Sequence, residues 1–222
     1  MAYLVIMRHG ESVANQQNVF TGWSDVELTE KGIQQAHIAA QALQKLNINF
    51  QHAHTSYLKR AIETLNIVLG DIDQDYVNAT KTWRLNERHY GALRGRIKSD
   101  VKEEYGVEQF NLFRRSYNTV PPLLKQHDVD RRYQRLGVQI PLGESLKMAS
   151  DRLIPYWEDQ IAPKLLDNQN QLIVAHGSIL RALIKYLDNI DDSEINQVEV
   201  PNGKPIIYQF DQKLHVINKK TI

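Results

Sequence analysis

Two apolar runs, Tyr3-Leu4-Val5-Ile6-Met7 and Leu172-Ile173-Val174, each lead into a histidine-glycine turn, Arg8-His9-Gly10 after the first and Ala175-His176-Gly177 after the second. Unbroken apolar runs of this kind predict strands buried on both faces, as in a parallel sheet covered by helices. In such a sheet the carboxyl ends of the strands form the crevice where ligands bind. Two neighbouring strands would therefore bring both imidazoles together, although 167 positions separate them. A neutral imidazole is a competent nucleophile near pH 7, and an adjacent arginine attracts an anion and steadies a phosphorylated ring. The pattern points to chemistry at a phosphate. Each tripeptide alone also fits a strand that ends in a polar turn with its histidine facing water.

Strand-like runs alternate with helical patterns along the chain, which predicts an α/β class: a three-layer sandwich with a mostly parallel central sheet flanked by helices. Thr29 is a plausible N-cap, and Ile33, Ala36, Ala39, Ala40, Leu43 and Leu46 then recur at helical spacing. A short strand near 51–55 leads into a second helical stripe through Leu65, Val68 and Leu69, with Arg60 in its first turn. Residues 76–82 read as extended, 144–166 as helical despite Pro155 and Pro163, 171–175 as a buried strand and 178–188 as a helix. The end reads as two strands, 205–210 and 214–217, pairing as an antiparallel hairpin at the sheet edge. Between about 90 and 143 arginine and lysine are dense and Pro121-Pro122 breaks the pattern, which predicts a helical and loop excursion over the site. No repeat, linker or composition shift divides the chain, so residues 1–222 read as one domain.

With 27 lysines and arginines against 26 aspartates and glutamates there is no global field to gather nucleic acid or lipid, so anion binding must come from local clusters. The chain has no cysteine, which removes disulfides and thiolate metal sites and agrees with a reducing compartment. No basic segment followed by an apolar signal core opens the sequence, and no stretch approaches the roughly 20 apolar residues a membrane helix needs. These features lead us to expect a soluble, cytoplasmic protein with neither nucleic-acid nor membrane partners.

The sequence resembles the cofactor-dependent phosphoglycerate mutases over nearly its whole length. The matching stretches are Arg8-His9-Gly10-Glu11-Ser12 with Asn15, Phe20-Thr21-Gly22-Trp23, Thr55-Ser56-Tyr57-Leu58-Lys59-Arg60-Ala61, and the block from Trp83 through Glu87-Arg88-His89-Tyr90-Gly91-Ala92-Leu93. Lys98, Arg114-Arg115, Gly143-Glu144-Ser145-Leu146 and Leu180-Arg181-Ala182-Leu183 continue them. The Arg8-His9-Gly10 box marks the broad histidine phosphatase superfamily, whereas the Glu87 block and the Arg114-Arg115 pair resemble the mutase branch. The resemblance implies that His9 takes a phosphoryl group, that Arg8, Arg60 and His176 cradle it, and that Glu87 moves the proton, with Glu11 as the second candidate. Preorganised cationic donors suit the charge that spreads over a transferring phosphoryl group. A buried carboxyl with a raised pKa can act as acid and base in turn.

Lys98, Arg114 and Arg115 are the expected recognition groups for a small ligand that bears phosphate and carboxylate, since guanidinium forks give directional bonds. Tyr90, Thr21 and the Gly22 amide would add neutral donors, and Asn15, Gly177 and Ser178 complete the expected substrate-binding set. By resemblance the reaction interconverts 2-phosphoglycerate and 3-phosphoglycerate through a phosphohistidine, with 2,3-bisphosphoglycerate as the primer that phosphorylates His9. A histidine phosphatase that hydrolyses small phosphorylated metabolites is the alternative, because water in place of an alcohol converts the same machinery. His52 and His54 could share one side of a strand and mimic a metal pair, yet no third ligand is evident, so no metal is expected. The resemblance also implies a homodimer or tetramer.

Overall fold

A computed structural model describes all residues, 1–222. In chain order the elements are β1 (Ala2–Arg8), α1 (Val13–Gln16), α2 (Glu30–Gln44), β2 (His52–Thr55), α3 (Lys59–Asp71), β3 (Ala79–Lys81) and α4 (Lys98–Arg115). They continue with α5 (Arg131–Gln134), α6 (Leu146–Tyr156), α7 (Ala162–Leu166), β4 (Gln171–Ala175), α8 (Gly177–Leu187), β5 (Pro205–Phe210) and β6 (Val216–Thr221). One six-stranded sheet runs β3-β2-β4-β1-β5-β6. The pairs β1–β4, β2–β4 and β2–β3 are parallel, whereas β1–β5 and β5–β6 are antiparallel.

The central pair explains the two layers of helices. Leu4 and Ile6 of β1 face one way and join Ile173 and Ala175 of β4 in a core with α6 and α8. Val5 and Met7 face the other way, with Leu172 and Val174, against α2 and α3. Both faces are covered, which is why the runs carry no polar alternation. The α2 helix begins where the spacing predicts: Thr29 Oγ1 accepts the Gly32 amide at 3.0 Å and Ala36, Ala39, Ala40 and Leu43 are buried. Gly32 and Gly10 meet backbone to backbone, and a Cβ on Gly10 would lie 2.1 Å from the Gly32 carbonyl oxygen. That approach seats α2 directly against the turn after His9.

Three readings of the sequence need correction. Only Ala79–Lys81 of the segment 76–82 pairs as a strand. The last strand is Val216–Thr221 rather than 214–217, because Leu214 adopts φ +62 in a turn that the Asp211 side chain closes on the Lys213 and His215 amides. The two last strands do pair as an antiparallel hairpin at the sheet edge, β5 joining it to β1 and β6 lying outermost. In 144–166 the helix begins only at Leu146, because Ser145 caps it from an extended conformation by accepting the Met148 amide, and a π-helical stretch, Trp157–Ile161, joins α6 to α7. Pro155 lacks the amide that would close the turn behind it, and Pro163 sits in the first turn of α7, where no amide is required. His54 gives Nε2–H to Gln171 Oε1 (3.0 Å), while Nδ1 is 2.8 Å from the Tyr156 hydroxyl, and His52 lies 2.7 Å from Thr80 Oγ1. No helix is long and apolar enough to cross a membrane.

The excursion holds the most consequential feature. An unbroken helix of the 18 residues in α4 would span about 27 Å. Gly106 interrupts it at φ +77, ψ 163, a conformation essentially restricted to glycine, and the chain doubles back so that both ends, Lys98 and Arg114-Arg115, reach the carboxyl end of the sheet. A Cβ at Gly106 would meet nothing within 4 Å, so substitution acts through the backbone alone. We expect Gly106→Ala to lower unfolding free energy by about 1–3 kcal/mol in urea titrations. An unchanged midpoint would contradict the strained turn.

Candidate active site

His9 follows the last residue of β1, and its amide extends the parallel ladder to the Ala175 carbonyl at 3.0 Å. The ring is buried and gives Nδ1–H to the Gly10 carbonyl at 2.6 Å, which can only accept, so Nε2 carries the lone pair. Burial, then Arg60 and Arg8, hold this imidazole well below its ordinary pKa, and it is neutral at pH 7. Arg60 reaches Nε2 through its Nε at 3.3 Å and is itself fixed by the Ser24 and Gly22 carbonyls at 2.8 and 3.0 Å. His176 lies edge-on to His9, with ring centroids 5.0 Å apart. The strand-end histidines therefore meet, as the two runs predict.

A cavity of about 140 Å³ opens over His9. Of the residues expected from the sequence, Arg8, Asn15, Thr21, Gly22, Arg60 and Glu87 line it, as do Tyr90, Lys98, Arg114, Arg115, Gly177 and Ser178. His176 lies behind the lining, fully buried. Glu11 is not part of the cavity: it accepts from Thr29 and Lys31, and the Lys31 ammonium lowers its pKa. Glu87 is 9% exposed, and its Oε1 accepts the Arg88 and Ser178 amides at 2.8 and 3.1 Å. The second of these amides belongs to the first turn of α8, where the helix favours negative charge.

The electrostatics of the cavity are lopsided. Six cations line it, Arg8, Arg60, Lys98, Arg114, Arg115 and Arg181, against two acids, Glu87 and Glu199. Burial, followed in the balance by neighbouring charges, pulls Arg60 and Arg181 down to about 10 and lowers Arg8, Lys98 and Arg114. All remain charged at pH 7, but each would gain from an anion. Arg8 Nε and His176 Nδ1 are buried without any protein partner, which is costly in a closed interior and useful where a phosphate oxygen is to be received. The donor set thus fits a bound phosphate ester.

Several residues here had no assigned role in the sequence reading. Arg88 and Arg181, both buried, clasp the end of α4: Arg88 donates to the Phe113 and Arg114 carbonyls and Arg181 to those of Arg114, Arg115 and Ile195. They aim Arg114 and Arg115 at the cavity. Glu199 pairs with Arg115 at 2.5 Å on the rim. Asn202 donates to the His9 carbonyl at 2.8 Å and to Asn15 Oδ1 at 3.4 Å, an oxygen that also accepts the Ser12 amide. Arg152 pairs through two nitrogens with Glu144 (2.7 and 3.1 Å) and donates to the carbonyls of Trp83, Arg84, Asn86 and Glu87. One buried guanidinium therefore shapes the loop that carries Glu87. Partners that are main-chain carbonyls leave no sequence signal; only the neighbourhood of Glu144 and Arg181 in the resembling motifs hinted at these residues.

A family model described as histidine phosphatase superfamily (branch 1) matches residues 4–221. The chain belongs to the histidine phosphatase superfamily. Among full-length relatives, it is 54% identical to 2,3-bisphosphoglycerate-dependent phosphoglycerate mutase 1 of Latilactobacillus sakei, over 99% of this chain and 94% of the relative. It is 50% identical to 2,3-bisphosphoglycerate-dependent phosphoglycerate mutase 2 of Lactiplantibacillus plantarum, over 100% and 99%. In fold it is similar to Bacillus stearothermophilus YhfR, with TM-score 0.76, 22% identity and coverage of 98% and 96% of the two chains. The phosphoglycerate mutase of Bacillus anthracis superposes with TM-score 0.69 at 22% identity, covering 100% and 92%. The chain carries its paired histidines at the ends of adjacent strands, β1 and β4.

Removing Arg152 alone strands a buried carboxylate and frees four carbonyls. We expect Arg152→Met to cost about 3–5 kcal/mol by chemical denaturation, and Arg152→Met combined with Glu144→Leu to recover part of that loss. A loss under about 1 kcal/mol for the single variant would contradict the clamp.

Proposed function

We propose that this protein interconverts 2-phosphoglycerate and 3-phosphoglycerate in the cytoplasm, as a phosphoglycerate mutase of glycolysis and gluconeogenesis, through a phosphohistidine at His9. The observation that carries the reading is the convergence of a neutral imidazole, unprotonated at Nε2, with six cations in one small cavity. Half-identical full-length relatives bearing the mutase name support it. 2,3-Bisphosphoglycerate, when bound, supplies the phosphoryl group that primes His9.

In this reading His9 Nε2 attacks phosphorus, the ester P–O bond breaks, and Glu87 gives the departing alkoxide its proton. The reverse sequence takes a proton from the acceptor hydroxyl and returns the phosphoryl group to the other carbon's oxygen. Arg8, Arg60 and His176 hold the equatorial oxygens as charge develops, and fixed donors of this kind need no reorganisation at the moment of transfer. Arg114, Arg115 and Lys98 take the remote phosphate and carboxylate, while Asn15, Thr21, Gly22, Tyr90, Gly177 and Ser178 supply neutral contacts. Residues 1–222 act as one domain, in a homodimer or tetramer.

The test is to incubate the protein with 3-phosphoglycerate and a trace of 2,3-bisphosphoglycerate, following 2-phosphoglycerate and inorganic phosphate together, with His9→Ala as control. We expect bisphosphate-stimulated isomerisation, little phosphate release and no activity in the variant. Phosphate release that dominates would mean that water is the acceptor and the protein is a phosphatase.

A further inference from the structure

Ser56 follows β2, is fully buried, and has no part in the mechanism proposed above. Its Oγ accepts the Leu58 amide at 3.1 Å and lies 2.7 Å from His176 Nε2. A hydroxyl has one proton to give, and a buried proton with no acceptor is costly. Since the Leu58 contact uses the oxygen as acceptor, the only partner within reach of the Ser56 proton is His176 Nε2. A neutral imidazole that accepts at Nε2 carries its own proton at Nδ1. Burial, followed by Arg60, His9 and Arg8, keeps His176 neutral, and Nδ1 is buried without a protein partner. The opposite tautomer would leave two groups unsatisfied, the Ser56 proton and the Nδ1 lone pair. The tautomer in place leaves one, a donor beside the His9 ring.

We propose that Ser56 is a positioning residue that locks His176 in the neutral Nδ1–H tautomer and so reserves a single fixed donor for an oxygen of the phosphoryl group at His9. The use of that donor rests on the phosphoryl-transfer reading, whereas the lock itself does not. Ser56 touches no substrate; it acts by deciding which nitrogen of His176 holds the proton. His176 then serves as a hydrogen-bond donor that neither gains nor loses a proton during the reaction.

The lock is read directly by long-range proton–nitrogen NMR on protein labelled with 15N-histidine, in which two-bond couplings distinguish the protonated ring nitrogen from the bare one. Eight histidines must be resolved, and the His176 signals are those missing from His176→Asn. At pH 7 wild type should show Nδ1–H at His176. Ser56→Ala should show Nε2–H or a mixture, with kcat for 3-phosphoglycerate down tenfold or more and KM changed less than threefold. Ser56→Cys, nearly isosteric and a weak donor, should fall between the two and guards against loss of folding in the alanine variant. An Nε2–H tautomer in wild type, or pure Nδ1–H in folded Ser56→Ala, would overturn the proposal. Wild type with Nδ1–H but no turnover of any phosphoglycerate would instead remove the substrate reading and leave the lock standing.

Discussion

The parallel pairing of β1 with β4 is the constraint on which the rest of the site depends. Its register sets Met7 against Val174 and Arg8 against Ala175, and the ladder runs one step further to hold the His9 amide on the Ala175 carbonyl. A slip of one residue would exchange Leu4 and Ile6 for Val5 and Met7 between the two cores, so burial on both faces fixes the register with the full weight of the apolar contacts. Two histidines distant in sequence are thereby brought ring to ring without any direct bond between them. The Gly10–Gly32 contact then fixes how the chain leaves β1, and α3 brings Arg60 in from the neighbouring crossover.

Around that frame the protein keeps a cluster of cations that is unfavourable in isolation. Burying guanidinium groups beside one another lowers their proton affinity, and the net charge of the whole chain, +1, supplies no compensating field. The fold offsets the cost with main-chain carbonyls rather than carboxylates: Arg60, Arg88 and Arg181 are each bound to two or more. Carbonyls stabilise the side chain while leaving its charge uncancelled. A ring of carboxylate partners would make the interior more stable and the cavity neutral. Preorganisation toward an anion is what this arrangement retains, and strain of this sort concentrates at functional sites.

The strands β1 and β4 and the helices α2, α3 and α8 were legible because each buries a strongly periodic or wholly apolar segment. The α4 hairpin was not, since its outer face is charged, its burial is confined to Val101, Phe110 and Phe113, and its decisive residue is a glycine in open space. β6 escaped its correct limits because all six of its residues are exposed and no alternation marks them. Within the cavity, side chains that project from motif turns could be named in advance. Those that hold the turns in place could not: Arg152 finds its carbonyls 65 to 69 positions away, and Asn202 finds His9 at 193. Glu11 shows the opposite failure, for its position two residues after His9 suggests proximity, yet the turn directs its carboxylate to Lys31. Local sequence marks where chemistry sits, and tertiary contacts decide which neighbours share it.

The central claim is that His9 receives a phosphoryl group and passes it to an alcohol in preference to water. Rapid-quench measurement with 2,3-bisphosphoglycerate carrying radioactive phosphate reads both steps in one experiment. The account predicts an acid-labile, base-stable label on His9 within the first turnover, discharged to phosphoglycerate when 3-phosphoglycerate is added and persisting in its absence. A wild-type protein that acquires no such label, or that loses it to inorganic phosphate as fast without an acceptor as with one, would contradict it.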